Sequence, residues 1–124
     1  MKWMNLLVWA MVPVGCAPLL AHHGTFASYD RDKTISMKGT VTQFQFAYPH
    51  PLIFFDVKDE NGNVVHWAAE MLESPGILKN KDANWNKDYI KPNDQLTIVC
   101  NPHKVATAKV CRAQELTVND KKIY

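Results

Sequence analysis

The chain has 124 residues, 47% of them hydrophobic and 21% charged, with a formal net charge of +2. That suits one globular domain and leaves no room for two of ordinary size. So weak and mixed a charge offers no basic footprint for nucleic acid and no polybasic patch for a membrane surface, and on that ground no nucleic-acid partner is expected.

Residues 1–21 read as a secretory signal peptide. Lys2 supplies the positive start, Met4 to Val14 is apolar and uncharged, and Pro13 and Gly15 break any helix before the processing zone. Ala21 suits the last position before cleavage. The run is short for a bilayer-spanning helix, so no stable membrane insertion is expected after cleavage. Lipoprotein processing at Cys16 is the alternative, with Pro13 a poor fit to that signal. The expected mature chain, residues 22–124, is periplasmic or secreted.

His22 to Asp32 is polar and reads as an irregular arm. Lys33 to Phe46 reads as a long strand in which Ile35, Met37, Gly39 and Val41 share one face. Phe44, Phe46 and Tyr48 follow in the opposite phase, so a bulge is needed near Thr42-Gln43. Tyr48-Pro49-His50-Pro51 ends the strand. Leu52 to Lys58 is a buried or central strand, and Asn61-Gly62 is a hairpin turn. Val64 to Met71 returns with Val65, Trp67, Ala69 and Met71 on one side. Ser74 and Pro75 open a short helical insert over Gly76 to Asn80, and Trp85 is expected to fold back as a plug. Gln95 to Cys100 and Ala108 to Val118 are the last strands. This order is all-β with a short helical insert, that of an OB-like, five-stranded, partly open barrel; an open meander is the alternative.

Cleavage would remove Cys16 and leave Cys100 and Cys111. An even pair in an exported domain reads first as a disulfide. The rival is a metal site built on the Cys-x-x-His spacing of Cys100 and His103.

All five histidines fall in the mature chain. A free N-terminal His22 offers its amine and ring to one ion as a chelate, with His23 beside it, and such nitrogens suit copper above other divalent metals. His50 and His103 lie in the two loops that flank the usual binding face of an OB barrel, each stiffened by prolines. The candidate metal ligands are therefore His22, His23, His50 and His103, and the cofactor, if one is held, is copper. His66 reads as a surface residue. No nucleophile elbow, zinc-protease helix or phosphate loop is present, so binding is expected and catalysis is not. The expected partner is a metal ion or small ligand, or a periplasmic protein meeting a metal-free module.

Ala21-His22-His23-Gly24, Gly39-Thr40-Val41, Tyr48-Pro49-His50, Asp56 to Gly62, Glu73-Ser74-Pro75, Trp85 and Lys91-Pro92-Asn93-Asp94 together resemble a family of small exported bacterial proteins, the domain of unknown function 6152. The similarity runs from His22 to about Val118. Members typically carry Ser where this chain has Gly24, Asn where it has Tyr48 and Gly where it has Asn93, and they generally lack the cysteine pair. The resemblance implies export and a small β domain, and it implies no activity.

Overall fold

The computed structural model describes residues 25–124. In chain order it holds a helical turn α1 (Thr25–Ser28), strands β1 (Ile35–Gln45), β2 (Leu52–Lys58) and β3 (Val64–Glu70), and a helix α2 (Pro75–Lys81). Strands β4 (Gln95–Pro102), β5 (Val110–Val118) and β6 (Lys121–Lys122) follow. Hydrogen bonding runs β3-β2-β1-β4-β5-β6, and a parallel pairing of β3 with β5 closes the first five strands into a barrel. This is the expected OB-like architecture, with α2 between the third and fourth strands. The closure is brief, from Ala68–Val110 to Glu70–Arg112, so the seam beside Val64 to Trp67 stays open. No helix among the described residues is long and apolar enough to cross a membrane.

The long first strand works as its pattern requires. Its early half pairs with β4, from Ile35–Cys100 to Thr40–Gln95, and its later half with β2, from Thr40–Asp56 to Gln45–Leu52. Between them the register slips from Val41–Phe55 to Gln43–Phe54, which leaves Thr42 as the extra residue of a bulge. Val41 is buried before the bulge and Phe44 and Phe46 turn inward after it. Gly39 is where the coil is tightest: a Cβ there would lie 2.5 Å from the Asp56 carbonyl oxygen. Tyr48 departs from the expected alternation. Pro49 cannot extend the ladder, and Tyr48 turns out to solvent at 73% exposure, its hydroxyl lying over Gly76.

The hairpin between β2 and β3 turns at Gly62 with φ +79°. The Asp59 carboxylate accepts from the Asn61 and Asn63 amides, each at 2.9 Å. Asn93 has φ 73°, a left-handed conformation that asparagine tolerates. Ser74 precedes the helix in an extended conformation but makes no side-chain cap bond, so Pro75 and the buried Leu78 carry that helix start. Beyond β5, Asn119 and Asp120 both adopt positive φ and make a two-residue turn into β6, a strand not expected from the sequence.

Inside the barrel Ile53, Phe55, Ala69, Met71, Ile98 and Leu116 have no exposed surface. The larger of these each contribute about 1.5–3 kcal/mol by leaving water. Trp85 folds back as expected, T-shaped on Tyr89 and stacked on Phe46. Cys100 and Cys111 join β4 to β5 in a buried disulfide, Cα–Cα 5.8 Å. Both sulfurs are thereby used, and the Cys-x-x-His metal site is ruled out. Two stability outcomes follow for chemical denaturation. Replacing both cysteines with alanine should lower stability by about 3 kcal/mol, since the bond closes a short loop. Gly39→Ala should cost about 1–3 kcal/mol because backbone must move; an unchanged midpoint would mean that β1 and β2 part easily.

Candidate functional site

The polar arm is built onto the barrel more firmly than its sequence suggests. After the α1 turn, Tyr29 makes an isolated antiparallel bridge with His103, just past the end of β4. The Asp30 amide donates to the Pro102 carbonyl at 2.8 Å, and the Lys104 amide donates to the Ser28 carbonyl at 2.9 Å. Tyr29 is 4% exposed, and its hydroxyl donates to Glu70 at 2.8 Å. Beside it Asn101, buried and polar, donates to the Lys33 carbonyl at 2.7 Å and accepts from Gln114 at 2.7 Å. The other chain end is held in a similar way. The Tyr124 hydroxyl donates to Glu73, which also takes Lys81 at 2.6 Å, and the Leu116 amide donates to the Tyr124 carbonyl at 3.0 Å. Each terminal segment is thus tied by a tyrosine to a carboxylate at the exit of β3.

These contacts set the local titration chemistry. Burial, followed by the neighbouring carboxylate, pushes the Tyr29 and Tyr124 hydroxyls well above the ordinary tyrosine range. Burial alone would raise Glu73, but the hydrogen bonds from Lys81 and Tyr124 outweigh it and hold that carboxyl below its usual value.

Of the expected metal ligands, His50 and His103 fall among the described residues. His22 and His23 lie outside the described residues. His103 packs edge-on against Tyr29, centroids 5.9 Å apart, and its Nδ1 accepts the Val105 amide at 3.0 Å. An imidazole that accepts at Nδ1 carries its proton on Nε2 when neutral. That is the reverse of the usual metal-bound ring, which donates through its second nitrogen. His50 lies in the link before β2, with Nδ1 buried and without a hydrogen-bond partner among the described residues. Strand pairings give the path between the two. His103 is level with Val110, Val110 with Ala68 and Ala68 with Phe54, four residues from His50. On that path three strand pairings and four residues of chain separate the two histidines. Among the described residues no three histidine, cysteine or acidic side chains converge on a metal position.

Sequence reasoning missed a closer pair. His66 and Asp56 are cross-strand partners on the outer face, with Nδ1 and Oδ1 2.5 Å apart. Only the register of the hairpin, fixed by the turn at Gly62, could have revealed it.

A family model described as a family of unknown function, DUF6152, matches residues 10–111. No curated protein matches the chain. Among solved structures, a mitochondrial single-stranded DNA binding protein from S. cerevisiae, Rim1, is similar with a TM-score of 0.51 and 9% identity, over 70% of this chain and 92% of its own. A selenomethionine form of the same protein gives 0.50 and 8% over 72% and 96%. At such identity the likeness shows the shared barrel. It also corrects the exclusion of nucleic acid: the barrel formed here is one that single-stranded DNA binding proteins use. Net charge is too coarse to exclude such a partner, because it sums the whole chain and does not see how charge is arranged on one face.

The terminal clamps predict a stability profile in pH. Glu73, depressed in the fold, stabilises above the ordinary carboxylate value of 4.5 and loses that contribution as pH falls through its lower folded value. Tyr29 and Tyr124, raised in the fold, stabilise fully below their ordinary value of 10.0 and lose that contribution as pH rises beyond it. Melting temperature should therefore fall at both extremes, and Tyr124→Phe should flatten part of both limbs. A wild-type alkaline limb that survives in the double Tyr29→Phe, Tyr124→Phe variant would refute the assignment.

Proposed function

Because the chain belongs to the family of unknown function DUF6152, which brings no activity with it, we propose its function from its own geometry: a non-catalytic binding module, exported to the periplasm or beyond, that meets its ligand on the outside of the barrel. The observation that supports this is the apolar interior, where the large side chains of Ile53, Phe55 and Met71 are wholly buried and present no polar group to a guest. OB barrels that bind do so on outer strands and flanking loops. On that outer face Asp56 stands between Thr40 and His66 in one cross-strand row. A hydrolytic relay needs its histidine between carboxylate and hydroxyl, so this order suits recognition better than turnover. An apolar fluorescent dye titrated into the purified protein is expected to show no stoichiometric uptake. One dye bound per barrel, with altered protection of the Ile53 and Phe55 amides, would overturn the proposal.

A second reading is favoured by the bridge between Tyr29 and His103. It roots the arm beside one of the loop histidines, with His23 six residues upstream of Tyr29. In this reading the amine and ring of a processed His22 chelate Cu(II), with His23 as the nearest further nitrogen. His103 joins only by giving up the Val105 amide. Calorimetry with Cu(II) on protein processed in the cell, set against protein with one extra N-terminal residue, decides it. Tight binding lost on extension is the expected result, and equal heats from the two forms would sink the chelate.

A further inference from the structure

On the outer surface, where β1 coils between β2 and β4, lies a cleft of about 260 Å³ lined by Lys38, Gly39, Thr40, Asp56, Lys58 and Gln95. Thr40 and Asp56 are paired across β1 and β2. Counting two positions further in the same antiparallel register brings Lys38 and Lys58 to facing positions on the same outer side. Like charges directly opposite one another in a sheet repel and destabilise the pairing. A carboxylate placed between them would cancel the cost, and Asp56 lines the same cleft. Its Oδ1, however, is held by His66 on the far side, 2.5 Å away. Neither lysine makes an ion pair among the described residues. Thr40 and Gln95 add a hydroxyl and an amide at the rim, both able to donate to an oxyanion.

We propose that this cleft is an anion site, taking a phosphate-type oxyanion between the Lys38 and Lys58 ammonium groups with Thr40 and Gln95 as neutral donors. The proposal rests on the outer-face binding reading and gives that face a ligand class. Two sources share the chemistry, a free phosphate and the phosphodiester of a single strand. A compact cleft with no exposed aromatic among its lining residues has no stacking platform of the kind that holds bases, and this favours the free anion.

The test is thermal melting of the processed protein in low-salt buffer, with inorganic phosphate titrated against chloride at matched ionic strength. Wild-type protein should gain several degrees in phosphate, since a ligand bound only by the folded state stabilises it. The Lys38→Gln, Lys58→Gln variant should melt at least as high as wild type without phosphate, because the repulsion is gone, and should lose the phosphate response. Lys121→Gln, on β6, should keep that response. A single-stranded oligonucleotide forms the second arm. If it binds with roughly tenfold or more advantage over phosphate and loses that advantage in the double variant, the phosphodiester is the source and the lysine pair is still the site. Equal phosphate responses in wild type and the double variant, or none in either, overturn the assignment. That result leaves the dye titration, and with it the outer-face reading, untouched.

Discussion

Strand β1 pairs with β4 through its first half and with β2 through its second, so one segment has to serve both sides of the barrel. A regular strand cannot, because its side chains would keep one phase while the interior moved to the other. Two local features relieve this. Thr42 is left out of the ladder, which shifts the inward phase from Val41 to Phe44. Gly39 lets the Asp56 carbonyl come within a distance that any side chain would block. Closure through β3 and β5 depends on this coil, because it swings the β2–β3 hairpin round to meet β5. The lysine-lined cleft depends on it too, since it opens on the outer side of the same bend.

The terminal segments are held by a different kind of force. Apolar packing holds the barrel interior, whereas the arm and the tail are held by buried hydroxyls given to carboxylates at the exit of β3. A buried tyrosine hydroxyl without a partner is costly, and so is a half-buried carboxylate. Each satisfies the other at Tyr29–Glu70 and at Tyr124–Glu73. Such pairs are directional, so they fix where the arm starts as well as whether it docks.

The elements that were legible in the sequence are those whose signal is local. The phase change from Val41 to Phe44, the Asn61-Gly62 turn, Pro75 at the helix start and the even cysteine pair each follow from a few neighbouring residues. β5 carries a second phase change, from Cys111 and Ala113 to Leu116 and Val118, and β4 pairs with it across a matching register shift. That pattern is harder to see because it lies inside an otherwise uninterrupted strand. β6 was lost because Asn119-Asp120 resembles a tail as readily as a turn. The candidate site was far less legible. His66–Asp56 and Tyr29–Glu70 join residues on different strands or segments, and only register brings them together. His50 and His103 are alike in sequence only as histidines of proline-flanked loops, and nothing local in either loop says what the other stands beside.

Charge teaches the same lesson at the surface. A net value near zero says that positive and negative groups balance over the chain, and nothing about whether they balance locally. On the outer face they do not. Asp56 is drawn across to His66, and this leaves Lys38 and Lys58 without a carboxylate on the other side of the same strand. The cleft carries two lysines against one acid, and the histidine engages an oxygen of that acid from the far side. His66 is 82% exposed at its side chain, so this arrangement is open to solvent, to protons and to any ligand that competes for the same imidazole. The local imbalance is maintained because the register of β1, β2 and β3 holds the competing groups on separate strands.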